Sequence, residues 1–232
     1  MKSLHVGAPA KACDYLIMNT LSPARVGIID YQAGNVHSIR NALEHLGADV
    51  TVVHTPEQVD EVSHLLLPGV GAFGHCATRL RESRLLTRIR DWAFQEQRPL
   101  LGICVGMQLM AEWSEELGHQ HGLDWVGGTV ERLPADVKGC RVPHVGWNTV
   151  RFLEGFGDFM PDDSADFYFD HSYAFTHVTR GRVIGSCWHG RTFPALIAMG
   201  SIVAAQFHPE KSQSAGLRLL SGFLQMPSTP VC

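Results

Sequence analysis

Two hydrophobic periods alternate along this chain, and that alternation constrains its fold more than any other feature. Val26–Asp30 (VGIID) is a short apolar run, the pattern of a strand covered on both faces. Asn35–Leu46 follows, with Val36, Ile39, Leu43 and Leu46 at helical spacing and Gly47 where a helix C′ glycine belongs. Val50–Val53 and Leu65–Leu67 are further strands, Leu85–Phe94 an amphipathic helix, and Leu100–Ile103 a strand that ends in Cys104. Strand and helix alternating over short connections predict an α/β fold, an open and mostly parallel sheet flanked by helices. The second half holds a smaller, strand-rich portion, with strands expected at Thr129–Leu133, Phe167–Phe169, Val183–Trp188, Ala195–Ala198 and Ile202–Gln206, and a last helix from Ser214 to Leu224. Residues 1–24 read as a loose leader, with Met18 a possible start, and residues 25–232 as one domain.

Composition removes whole classes of function. Lys and Arg total 19 against 23 Asp and Glu, a net charge of −4, and there is no long basic run to track a nucleic acid. No apolar stretch approaches the roughly 18 residues of a membrane span. The six cysteines, at 13, 76, 104, 140, 187 and 232, are scattered without a C-x-x-C pair, which points to free thiols and a cytoplasmic location. Cofactor and metal are both expected to be absent.

Chemistry concentrates at three strand ends. Gly102-Ile103-Cys104-Val105-Gly106 is a G-x-C-x-G elbow, a strand-to-helix turn so tight that small residues flank the nucleophile. At a helix N-terminus the dipole favours the thiolate, which is the attacking form. On its own the elbow also fits a buried structural cysteine between packing glycines. Gln206-Phe207-His208-Pro209-Glu210 leaves the strand at 202–206. Two residues apart in an extended segment, His208 and Glu210 can share a side, so the carboxylate fixes the imidazole tautomer and frees the other nitrogen for Cys104. A metal pair is the competing reading, weakened by the lack of a third ligand at defined spacing. Pro68-Gly69-Val70-Gly71-Ala72-Phe73 follows the strand at 65–67, and its backbone N–H groups can be aimed at an oxyanion, with the Val105 N–H as the second donor. A phosphate-binding loop competes, without the G-x-x-x-x-G-K-[ST] pattern to support it.

The segments PGVGAF (68–73), GICVGMQL (102–109) and QFHPEKS (206–212) resemble the class I, triad-type glutamine amidotransferases. IIDYQAGNVHSI (28–39), VPHVGWN (142–148), YFDHSY (168–173) and HPEKSQ (208–213) are similar, more narrowly, to the glutaminase subunits of imidazole glycerol phosphate synthases. The resemblance spans about 25–225. It implies that Cys104 attacks the γ-amide carbon of L-glutamine, that His208 moves the protons and Glu210 orients it. It further implies that Gln108, His171, Ser172 and Tyr173 bind glutamine, and that Asn35, Trp147, Tyr168 and Lys211 contact an ammonia-accepting cyclase subunit in a heterodimer. The chain departs from the family at Gln32, where a small residue is usual, and in residues 1–24, which have no counterpart. Rival readings are a glutaminase serving pyridoxal phosphate or GMP synthesis, a cysteine hydrolase of the same superfold, and an inactive scaffold. The PHVGWN and YFDHSY segments, Gln108 and the intact triad argue against these in turn.

Overall fold

The computed structural model describes residues 23–33, 36–153 and 162–228. Nearly all of the expected leader, with Met18, and also Asn35, lie outside the described residues. The apolar runs of the first half form β1 (Arg25–Ile29), β2 (Asp49–Val53), β3 (His64–Leu67) and β4 (Leu100–Ile103). Helices α1 (Val36–His45), α2 (Pro56–Asp60), α3 (Phe73–Glu82) and α4 (Leu86–Phe94) lie between them, and α5 (Val105–Gln108) follows β4. Every residue of β3 and β4 is buried, as is all of β1 but Arg25, so these strands read as near-continuous apolar runs. The second half contains β5 (Trp113–Ser114), β6 (Gln120–His121), β7 (Thr129–Arg132), β8 (His144–Phe152), β9 (Ser164–His171) and β10 (Tyr173–His177). It continues with β11 (Arg182–His189), β12 (Arg191–Met199), β13 (Ile202–Ala205), a single 3₁₀ turn at Pro209–Lys211 and α6 (Gln213–Leu224).

Nine strands form the main sheet in the order β2-β1-β3-β4-β13-β12-β11-β8-β9. Pairing is parallel from β2 to β13 and antiparallel from β13 outward to β9. The sheet expected to be mostly parallel is therefore mixed. Much of the strand-rich second half extends it, while β10, β7, β5 and β6 make a separate four-stranded sheet. The cause is connection length: β11, β12 and β13 are joined by turns at Gly190 and Gly200, with φ of 75° and 56°, and so tight a turn reverses the strand direction.

Parallel pairing from β2 to β13 brings the C-terminal ends of β1, β3, β4 and β13 to one edge, next to the point where β2 and β3 diverge to either side of β1. Open α/β sheets bind ligands at such an edge. Buried aromatic packing fixes the exit from β13. Phe207 stacks on Phe167 at 3.9 Å and meets Phe169 edge-on at 5.8 Å. With that ring anchored, the N–H groups on either side bond to Ala195 O from Gln206 and to Tyr168 O from His208, both at 2.9 Å.

Candidate active site

Cys104 sits between β4 and α5 with φ 54° and ψ −112°, a conformation that L-residues rarely adopt outside functional turns. The elbow is held by close backbone approach. A Cβ on Gly106 would fall well inside contact distance of Leu67 O at the end of β3, and one on Gly102 would stand 2.7 Å from Met110 Cε. The helix after the nucleophile is shorter than the apolar run 107–113 suggests, ending at Gln108. Leu123, Asp124, Trp125 and Val126 donate to the carbonyls of Leu109, Ala111 and Met110, which removes the acceptors a longer helix needs. The dipole behind Cys104 is that of one turn.

His208 is buried, and its Nδ1–H donates to Glu210 Oε1 at 2.9 Å. Burial alone would lower the pKa of the ring. Cys104 and Glu210 outweigh it and push His208 up to about 10, so the imidazolium is the neutral-pH form.

Gln206 was not singled out from the sequence, yet it is fully buried and its Nε2–H donates to Cys104 Sγ at 3.9 Å. Its Oε1 accepts from Gln108 Nε2 at 3.0 Å, and the second Gln108 amide hydrogen goes to Tyr173 O at 2.8 Å. With both hydrogens committed, Gln108 offers its Oε1 to a ligand. A glutamine ending the apolar strand IVAAQ was the available signal for Gln206: a buried polar side chain there needs partners.

A cleft of about 280 Å³ opens over Cys104 and His208. Val70, Gly71, Val105, Gln108, His171, Ser172 and Tyr173 line it, as do Lys211 and three residues missed by sequence reasoning, Glu116, Pro143 and Asp170. Gly69 lies behind this wall, its Cα packed against the Val105–Gly106 peptide. As the first helical residue, Val105 has an N–H with no intrahelical acceptor, free to meet an oxyanion. His171 is a supporting group, because both ring nitrogens are committed within the protein. Its Nδ1–H donates to Tyr173 O at 2.8 Å, and its Nε2 accepts from His144 Nδ1 at 3.1 Å. Burial holds His171 down to about 3 and His144 to about 4, so both are neutral at neutral pH.

The glycine loop also has, at Gly69, Gly71 and Gly74, the G-x-G-x-x-G spacing of a dinucleotide loop. Its geometry opposes phosphate: Glu116 Oε2 accepts from Phe73 N–H at 2.7 Å, putting a carboxylate where a phosphate would sit. A larger cavity of about 740 Å³, lined by Arg81, Phe94 and Trp125 among others, contains none of the triad. Among the described residues no group of His, Cys, Asp or Glu converges as metal ligands would, and no helix is long and apolar enough to cross a membrane.

Three of the four residues expected to meet a partner cluster at the β8–β9 edge beside the cleft. Trp147 faces Tyr168 across the strand pair with ring centroids 6.2 Å apart, and Lys211 Nζ lies 5.4 Å over the Tyr168 ring.

The family model for glutamine amidotransferase class-I matches residues 27–225. Relatives include imidazole glycerol phosphate synthase subunit HisH of Moorella thermoacetica, 42% identical over 199 residues (85% of this chain, 93% of that protein). Subunit HisH 2 of Nitrobacter winogradskyi is 38% identical over 208 residues (87% and 98%). Among solved structures, PurLQS from Thermotoga maritima superposes with a TM-score of 0.68 at 15% identity, covering 88% of this chain and 98% of that one, a likeness of fold. The chain belongs to the class-I glutamine amidotransferases. Within that family it groups with the HisH subunits of imidazole glycerol phosphate synthase.

Proposed function

We propose that this chain hydrolyses L-glutamine to glutamate and ammonia, and passes the ammonia to a cyclase subunit that makes imidazole glycerol phosphate and AICAR in histidine biosynthesis. The observation that carries the reading is the meeting, in one cleft, of Cys104, the His208–Glu210 pair and the Val105 N–H. The Cys104 thiolate attacks the γ-amide carbon, and the carbonyl electrons move onto oxygen, where backbone N–H groups at Val105 and in the 69–71 loop receive them. His208 gives its proton to the departing nitrogen, the C–N bond breaks, and a thioester with ammonia results. The now neutral His208 takes a proton from water, whose oxygen attacks the thioester, and glutamate leaves as Cys104 recovers its electron pair. Glu116 and the Gln108 carbonyl oxygen supply acceptors for the substrate's α-ammonium. The exposed Trp147 surface, with Tyr168 and Lys211, is the docking face for the cyclase in a heterodimer.

The test is glutamine-dependent product formation by the chain mixed with a cyclase subunit, run beside the same reaction fed with ammonium salt. Glutamine-dependent turnover that requires this chain supports the reading. Turnover from ammonium alone, with none from glutamine, overturns it.

A further inference from the structure

Pro68–Gly71 has few side chains of its own to hold it, and its glycines lower the cost of turning a peptide plane. Two of its carbonyls are nonetheless bonded to side chains from other elements. The Tyr31 hydroxyl, just past β1, donates to Pro68 O at 2.7 Å. The Cys76 thiol, on α3, donates to Val70 O at 3.4 Å. Tyr31 is 2% exposed and Cys76 0%, so water does not compete for either bond. Burial raises the Cys76 pKa, which keeps its donor proton in place. The fit around Tyr31 is close: a Cβ on Gly69 would stand 2.9 Å from the Tyr31 hydroxyl and 2.6 Å from Gly106 N. Gly69 is thus gripped between that hydroxyl and the peptide that follows the nucleophile.

We propose that Tyr31 and Cys76 are positioning residues that clasp the oxyanion loop, fixing the Pro68–Gly69 and Val70–Gly71 peptides and confining any rotation to the Gly69–Val70 peptide between them. In a trans peptide the N–H points away from its own C=O, so holding Val70 O on α3 also sets the direction of the Gly71 N–H. A loop fixed at both ends presents its donors with little reorganisation when charge develops on the substrate oxygen. The proposal rests on the glutaminase reading for its effect on rate.

The variants are Tyr31→Phe, Cys76→Ala and Cys76→Ser, the last retaining a hydroxyl donor. Amide hydrogen exchange at Gly69 and Gly71, the N–H groups of the two clasped peptides, is measured on the whole chain, independently of any activity. Glutamine turnover is measured on the complex with its cyclase. Losing one buried bond should speed exchange at these amides about fivefold and lower kcat by a similar factor, with KM for glutamine within twofold of wild type. Cys76→Ser should restore most of both. Carbamidomethylation of Cys104 by iodoacetamide should stay at the wild-type rate, because displacement at a saturated carbon forms no oxyanion. Unchanged exchange and kcat in Tyr31→Phe and Cys76→Ala would overturn the clasp. So would a rise in kcat, or an equal fall in the iodoacetamide rate. If wild type proved inactive on glutamine, the glutaminase reading would fail and the exchange rates would still decide the clasp.

Discussion

His208 occupies a buried position between a thiol and a carboxylate, and its chemistry follows from which neighbour is removed. Cys104→Ala should lower glutamine hydrolysis by at least ~10⁴-fold while ammonium-fed synthesis by the complex continues, since only the nucleophile is lost. Comparable loss with both nitrogen sources would show that Cys104 serves the partner's chemistry instead. Glu210→Gln should cost less activity than His208→Ala, because the carboxylate orients and stabilises a charge that the imidazole must carry. The same variant has a stability signature with a definite sign. The folded pKa of His208, about 10, lies above its ordinary value of 6.5. The stabilisation is therefore fully present below about pH 6.5 and is lost as pH rises through 10. The denaturation midpoint of Glu210→Gln should fall furthest below wild type near pH 6, and the gap should narrow towards pH 10. A gap independent of pH would show that the ion pair does not stabilise the fold.

Elements hold the triad by backbone contact at two glycines. Gly106 presses α5 onto the end of β3, and Gly216 presses α6 onto Pro209 O, in the turn that carries Glu210. Gly216→Ala should push α6 off that turn, lowering stability by about 2–4 kcal/mol and glutaminase activity with it. Thermal unfolding together with the glutamine assay checks this, and an unchanged midpoint would mean that the contact relaxes freely. The first four strands and α1, α4 and α6 were legible because their burial leaves a clear period. The sequence pattern leaves α2, α3, β5, β6, β8 and β10 unassigned. In β8 burial alternates strictly from His144 to Phe152, but the exposed face carries Val145 and Trp147 while the covered face carries His144, Gly146 and Asn148, so residue type does not follow it. The end of α5 was not legible, because residues 122–126, which bond the carbonyls just beyond it, reach them only after folding.

Across the molecule, Val145 and Trp147 on β8 and Trp188 on β11 remain 55%, 49% and 57% exposed. Exposed aromatic surface beside a cleft is the expected form of a docking face. Trp147→Ala should weaken cyclase binding by at least about tenfold, as loss of a central aromatic anchor does. The rate of Cys104 carbamidomethylation by iodoacetamide in the isolated chain should stay the same. Calorimetric titration of the cyclase checks the first, and wild-type affinity would move the interface elsewhere.

The meeting of Cys104, His208 and Glu210 was readable because each belongs to a local strand-to-turn pattern, in which neighbouring residues dictate where a side chain points. Two glycines flanking Cys104, and a two-residue step from His208 to Glu210, suffice for that. The sequence also carried the α/β alternation, since burial on both faces leaves unbroken apolar runs. Tertiary structure alone decided how the sheet pairs beyond β13, where turn length rather than strand composition sets direction. It also decided which groups serve the triad from a distance. Glu116 reaches Phe73 across 43 residues, Tyr31 reaches Pro68 across 37, and Gln206 reaches Cys104 across 102. None of these separations has a period or a motif. A hydrogen bond needs its two atoms within about 3 Å, or about 4 Å where sulfur is the acceptor, and only the folded chain brings them there.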